Sequence, residues 1–340
     1  MSVLGLIDAN NFFCGVAACY DLSLRNVPVV TVGSNDGMAI ARNAMAKELG
    51  IKMAQPYFQF KQFENSHGLI VKSANFELIT DMSQRVRDVL DELVPEIFPY
   101  SVDESFFICG GLESKDLEAY AQDIRKKVLQ WTGVASCIGL GANRTLAKLS
   151  NHAAKKYKAC NGVVDLYTDS SRRERLLKLT SVGSVWGVGP ASAKKLLQAG
   201  IETAFDLADY GSAKVHKEFG VMLARTATEL SGEVVFPFED DAVTSQSIIA
   251  PRSLGCAVKD PETLFASIAA HIARGARKLR LQNTVAGRLS VSIQTSAFNT
   301  TAPRYSNKKA CSLPTPTSDT VVLTRCARDI FEQMFRSGYD

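Results

Sequence analysis

Pro99-Tyr100-Ser101-Val102-Asp103-Glu104-Ser105-Phe106-Phe107-Ile108 sets two adjacent acids between two β-prone stretches. The pattern predicts a hairpin with the acids at or near its tip. Far upstream, Val3–Ile7 is a short apolar run that ends in Asp8. It predicts a buried strand with an acid at its C-terminal end. Two such strand ends, side by side and antiparallel, would bring Asp8 to Asp103 and Glu104. Hard divalent ions need oxygen ligands on rigid elements. Two of them about 4 Å apart activate an attacking hydroxyl and stabilise a departing phosphate. Adjacent residues on a flat strand point to opposite faces, so both acids reach one site only if the hairpin twists or bulges. A solvated hairpin tip is the competing reading of the same residues.

Around these acids the chain alternates strands and helices without a strict βαβ repeat, which points to an α+β domain. Helices are predicted over Asn10–Tyr20, Ala39–Leu49, Phe76–Leu93, Asp116–Trp131 and Arg144–Tyr157. Strands are predicted over Pro28–Val32, Ser136–Leu140 and Val163–Leu166, with a turn at Ser34-Asn35-Asp36-Gly37. Ser171–Leu230 reads as all helical, broken at Gly189-Pro190 and Gly200. Glu233–Asp241 is an acidic, irregular linker candidate. Beyond it, strands over Ser247–Leu254 and Val285–Thr295 and helices near Pro261–Leu281 and Thr317–Phe335 form a second α+β unit, with Ser312–Ser318 resembling low complexity.

A chain of 340 residues, 46% hydrophobic and 22% charged, is expected to fold into several domains and is neither disordered nor collagen-like. No window is long and apolar enough for a membrane span, and the start lacks the basic region of a signal peptide, so a cytoplasmic protein is expected. The eight cysteines show no C-x-x-C spacing and the four histidines are scattered, so reduced, mostly buried thiols are expected rather than zinc ligands. Residues 243–340 carry 13 basic against 6 acidic side chains, a net +7, while the rest carries 26 against 29, a net −3. A basic module on a slightly acidic body suits a polyanion-binding protein with a cation site, and equally suits simple solubility.

Further candidates follow the acids. Asp8 leads into Ala9-Asn10-Asn11-Phe12-Phe13. A phenylalanine ring beside the metal site would lie under an incoming sugar and collide with a 2′-hydroxyl. Phe13 is the candidate gate, and Phe12 suits the core better. Arg42 and Lys47, with Lys155 and Lys156, lie on predicted helices that flank the acids and could hold a triphosphate, or line solvated faces. Val185-Trp186-Gly187-Val188-Gly189-Pro190 joins two predicted helices through a tight turn. Backbone N–H groups at Gly187–Gly189, with Lys194 and Lys195, would bind a DNA phosphate without base readout. Arg274, Arg277 and Arg280 share roughly one helix face and suit a duplex backbone, or solvent.

These segments resemble the Y-family of translesion DNA polymerases, and within it the UmuC branch. The resemblance runs nearly end to end. It rests on Asp8–Phe13, Ser34–Met53 (SNDGMAIARNAMAKELGIKM), Ser73–Leu78 (SANFEL), Tyr100–Phe106 (YSVDESF), Thr145–Lys156 (TLAKLSNHAAKK), Val185–Gly189 (VWGVG) and Ser253–Asp260 (SLGCAVKD). It implies a right-hand polymerase, with a palm over 1–10 and 76–167, small fingers over 11–75 and a helical thumb with a helix-hairpin-helix over 168–232. A linker over 233–242 and a C-terminal α+β little finger over 243–340 complete it. It implies that two Mg²⁺ ions are held by Asp8, Asp103, Glu104 and the Ala9 carbonyl, and that Phe13 is the steric gate. Lys47 and Lys155 would bind the triphosphate. Val16-Ala17 stands where close relatives carry Cys-Glu, which changes local packing and removes no ligand.

The expected activity is DNA-directed DNA synthesis: dNTPs are added to a primer 3′-OH on primed template DNA, in error-prone SOS mutagenesis. A UmuD′-type subunit and a RecA filament are the implied partners. The chain ends at Ser337-Gly338-Tyr339-Asp340, where the pattern calls for a further little-finger strand and a tail that binds a sliding clamp, so clamp binding through such a tail is not expected. Two alternatives stay open: a nucleotidyl cyclase, which would need no DNA, and a C-terminally shortened, catalytically impaired DNA-binding relative.

Overall fold

A computed structural model describes residues 3–33, 37–110, 117–237, 246–296, 298 and 302–339. Two compact units emerge. The larger holds Met1–Gly33 with Met38–Glu239, and the smaller holds Ser34–Gly37 with Asp240–Asp340.

At the centre of the larger unit lies a five-stranded sheet. Its strands are β1 (Val3–Ala9), β5 (Glu96–Pro99), β6 (Glu104–Cys109), β7 (Ser136–Gly141) and β8 (Val163–Asp165), in the order β5-β6-β1-β7-β8. β1 pairs antiparallel with both β6 and β7, and β7 runs parallel to β8. Every residue of β1 is buried, as its unbroken apolar run predicts. Alternation then assigns the faces. Val3 and Ile7 pack with Phe107 against α4 (Phe76–Asp91) and α5 (Leu117–Thr132). Leu4 and Leu6 pack with Phe106 against Ala147 of α6 (Arg144–Lys156). Asp8 shares the parity of Leu4 and Leu6, so it belongs to the α6 face.

α6 lies tight on β7 because β7 carries glycines there. A Cβ at Gly139 would stand 2.1 Å from the Asn151 nitrogen, and one at Gly141 would stand 2.7 Å from the Ala147 nitrogen. Asn151 fixes the contact by donating to the carbonyls of Cys137 (2.8 Å) and Leu6 (3.3 Å).

Beside this sheet is a three-stranded one, order β3-β2-β4, formed by β2 (Val29–Gly33), β3 (Met38–Arg42) and β4 (Ile70–Ser73). Here one sequence expectation fails. Ala39–Leu49 is not one helix: Met38–Arg42 is a strand, and α2 covers only Ala44–Glu48. Alanine favours helix locally, but antiparallel pairing with β2 buries Ala39 and Ala41 and outweighs that preference. Asn43 then caps α2 through the Ala46 N–H. The expected turn over residues 34–37 lies largely outside the described residues, as does Asp116.

Residues 170–230 form five helices: α7 (Ser170–Leu179), α8 (Pro190–Gln198), α9 (Ala204–Asp209), α10 (Ser212–Phe219) and α11 (Val221–Leu230). This all-helical layer is tied to α6 by a buried carboxylate. Glu229 accepts from the Thr145 N–H (2.9 Å) and hydroxyl (2.6 Å), and from the Phe236 N–H (3.0 Å). Asn143 donates back to the carbonyls of Glu229 and Glu233, 2.7 Å each.

In the smaller unit α12 (Pro261–Leu281) and α13 (Thr320–Met334) pack on a two-stranded sheet of β9 (Ala286–Gln294) and β10 (Ser306–Thr317). β10 was not expected: it runs into Ser312–Ser318, the stretch that resembles low complexity. Its residues are mostly exposed, so no apolar alternation announces it. Ser247–Leu254 forms no strand, and the last helix starts at Thr320 after the Asp319 cap. The linker and the start of the C-terminal module expected over 233–246 fall largely outside the described residues; Glu233–Pro237 is irregular. All eight cysteines are free, but only Cys14, Cys109 and Cys137 are buried, fewer than expected. Burial pushes the Cys109 thiol up to about 12. Among the described residues, no helix is long and apolar enough to cross a membrane.

The glycine contact yields a test. Gly139→Ala should force α6 off the sheet and cost about 3 kcal/mol, the scale of core overpacking. Chemical denaturation would measure this, and an unchanged midpoint would contradict the close approach.

Candidate active site

The acids meet because of strand register. Asp8 and Glu104 are directly paired across β1 and β6, and the Ala9 N–H donates to the Asp103 carbonyl at 2.8 Å. The turn at Tyr100–Asp103 frees the two neighbouring acids from strict alternation. Asp103 lies in a bend and only Glu104 is in the strand, so strict alternation does not apply between them. The Tyr100 and Ser101 N–H groups both donate to the Glu104 carbonyl, at 3.0 and 3.1 Å, which closes the bend. The Ser101 hydroxyl donates to the Asp103 carboxylate at 2.6 Å.

Two lysines of α6 stand over the acids. Lys155 pairs with Asp8. Lys148, two helical turns earlier on the same face, donates to both Glu104 carboxylate oxygens at 3.0 Å. Lys47 from α2 donates to the Asn11 side chain at 2.6 Å. Asn11 itself takes a left-handed conformation (φ 49°) where β1 turns into α1 (Phe12–Tyr20), a geometry asparagine tolerates. Partial burial and the positive charges of Arg42 and Lys155 hold the Lys47 ammonium below the usual lysine range. Arg42, at the end of β3, donates to the Ile51 carbonyl at 2.8 Å. Lys47, Lys155, Arg42 and the three acids therefore form one electrostatic neighbourhood.

The two phenylalanines separate. Phe12 is 3% exposed and packs with Val16, Ile79 and Met82, so its ring is core. Phe13 is half-buried beside it and meets the exposed Phe76 ring edge-on at 5.8 Å.

The outlying candidates are positioned as follows. Gly187 has φ 85° and Gly189 caps α8, with Pro190 in its first turn. Lys194 and Lys195 are exposed on α8. The turn is preceded by a single 3₁₀ turn over Val182–Ser184 rather than by a full helix. In the smaller unit Arg274 and Arg277 are exposed on α12. Arg280 is committed elsewhere: it donates to the Ser318 carbonyl (2.8 Å) and the Thr320 hydroxyl (3.2 Å), tying α12 to the start of α13.

Burial raises the Asp8 carboxyl to about 7; Lys155 pulls it down, while Glu104 and Asp103 push it up. Among the described residues, no three acid, histidine or cysteine side chains are gathered closely enough to cage an ion. Glu104 is turned to Lys148 and Asp103 to Ser101. The fit to a divalent cation is therefore one of donor chemistry: hard oxygens on strand ends, with a dry carboxylate whose charge needs an offset. The pairing of Lys148 with Glu104 is not among the sequence expectations. The spacing of seven between Lys148 and Lys155 was the available signal.

The sign of the Asp8 shift gives a prediction. A carboxyl whose folded pKa lies above 3.8, at about 7, favours the native state at low pH and loses that contribution as pH rises through this window. In chelator at pH 8, Asp8→Asn should therefore melt roughly 2–4 °C higher than the parent. A lower melting temperature would refute the desolvated carboxylate.

Comparison with known proteins identifies the family. The impB/mucB/samB family model matches residues 7–152, and the model of that family's C-terminal domain matches residues 245–340. Protein UmuC of Salmonella typhimurium is 38% identical over 339 residues, covering 99% of this chain and 80% of that protein. DNA polymerase IV of Corynebacterium diphtheriae is 29% identical over 229 residues, covering 66% of this chain and 49% of that protein. Among solved structures, a Y-family DNA polymerase chimera superposes with a TM-score of 0.77 at 18% identity, covering 97% of this chain and 93% of the other. The fold is thus the right-hand fold of palm, fingers, thumb and little finger. With both family models matched and UmuC so similar along its length, the chain belongs to the impB/mucB/samB family of UmuC-like proteins.

Proposed function

We propose that this chain is a template-directed DNA polymerase of the translesion type, adding dNTPs to a primer 3′-hydroxyl and releasing pyrophosphate. The observation that carries the reading is the meeting of Asp8 with the Asp103–Glu104 bend under the α6 lysines, within a chain of this family. In this reading residues 1–10 and 76–167 are the palm and 11–75 the fingers. Residues 168–232 are the thumb, 233–242 the linker and 243–340 the little finger.

Asp8, Asp103 and Glu104, with the Ala9 carbonyl, would hold two divalent ions, best Mg²⁺. When bound, these would supply Lewis-acid activation of the primer hydroxyl and neutralise charge on the leaving pyrophosphate. The protein's own residues do the rest. Lys47, Lys155 and Arg42 offset the triphosphate charge, and they already share one electrostatic neighbourhood with Asp8. The Phe13 ring, braced by Phe76, excludes a 2′-hydroxyl. Backbone N–H groups around Gly187–Gly189, with Lys194 and Lys195, hold a duplex phosphate without reading sequence. Arg274 and Arg277 contact the backbone from the C-terminal module. A UmuD′-type subunit and a RecA filament are the partners this reading gives it, in a bacterial cytoplasm.

Primer extension on undamaged and abasic templates, with and without those partners, tests the activity. Asp103→Ala should abolish extension and leave the affinity for primed DNA within about threefold, since phosphate contacts supply that affinity. Extension at the parent rate would remove the metal assignment, and binding without extension by the parent would favour a catalytically impaired relative. Nucleotide turnover that needs no primed template would point instead to a cyclase. Phe13→Ala should raise ribonucleotide insertion relative to deoxyribonucleotide. An unaltered sugar preference would remove Phe13 from the gate.

A further inference from the structure

The Lys148 side chain is 12% exposed, against 35% for Lys155. It bonds both oxygens of Glu104, so it fixes that carboxylate's orientation rather than merely balancing its charge. Its surroundings are aromatic. The ammonium lies 4.2 Å from the centre of the Tyr100 ring, 5.8 Å from that of Trp186 and 5.9 Å from that of Phe106. The rings support one another edge-on: Tyr100 meets Phe106 at 5.6 Å and Trp186 at 6.2 Å, and Trp186 meets Phe236 at 5.7 Å. An ammonium over ring faces is attracted by their quadrupoles and shielded from water, which strengthens its remaining bond to the carboxylate. The roof has two origins. Tyr100 begins the acid-bearing bend, while Trp186 directly precedes Gly187 of the hairpin assigned above to a duplex phosphate.

We propose that Lys148 is a positioning residue for Glu104, held by an aromatic roof of Tyr100 and Trp186 that joins the thumb hairpin to the acidic bend. The proposal rests on the polymerase reading for its catalytic consequence, but not for its physical core. The ammonium sets the Glu104 side chain while no divalent ion is present and competes with such an ion for the same two oxygens. Ordinary core packing would give Lys148 neither property.

Both properties can be read separately. Binding of Mn²⁺ to the full chain alone, followed by loss of the free-ion EPR signal, needs no catalysis. Lys148→Met should lower the half-saturating Mn²⁺ concentration roughly fivefold or more, the scale of coupling between two mutually exclusive cations. In primer extension the same variant should lose about tenfold or more in kcat, the scale of a misplaced reacting group, with little change in the dNTP KM. Lys148→Arg, which keeps the charge and the ring contacts, should return both quantities toward the parent. An unchanged Mn²⁺ midpoint in folded Lys148→Met, or an unchanged kcat, overturns the proposal. If Lys148→Met fails to fold, Trp186→Leu replaces it: opening the roof should shift both quantities in the same directions by a smaller factor, and no shift overturns the proposal. Should the parent extend no primer at all, the polymerase reading fails, while the Mn²⁺ arm still decides the role of Lys148.

Discussion

Carboxylates brought together at the end of a dry sheet repel one another, and the larger unit is arranged around that repulsion. Burial raises the cost of ionising Asp8, and Glu104 and Asp103 add to it. Lys155 and Lys148 of α6 answer with two ammonium groups.

Holding lysines over acids requires a helix close to a sheet. The glycines of β7 make that approach physically available, and Asn151 pins it through the Cys137 and Leu6 carbonyls. The start of α6 is then anchored to the helical layer by the Glu229 carboxylate, which collects donors from Thr145 and Phe236. A buried charge with several donors is costly to break. One helix thus carries the cations, touches the sheet through glycine and is fastened to the helical layer at its first turn.

Much of this was legible in the sequence. The apolar run ending in Asp8, the twin acids of the hairpin, the capped helices and the basic C-terminal module each have a local signal. Ala39–Arg42 did not, because alanine's helical preference is small beside the pairing of a strand. β10 did not either, because a mostly exposed two-stranded sheet has no apolar alternation to read. Of the Phe12–Phe13 pair, the sequence already pointed to Phe12 as core, and its ring is 3% exposed.

By itself the sequence determined the family, the strand that carries Asp8 and the hairpin that carries Asp103 and Glu104. These follow from period-two alternation and from long matching motifs, which are properties of short stretches of chain. The tertiary structure alone decided which cation meets which acid, that Lys148 rather than a solvated neighbour holds Glu104, that Trp186 and Tyr100 close over it, and that Arg280 serves α13. Those pairings join residues tens of positions apart. They depend on register and on how near one helix can come to a sheet, and no local pattern encodes either.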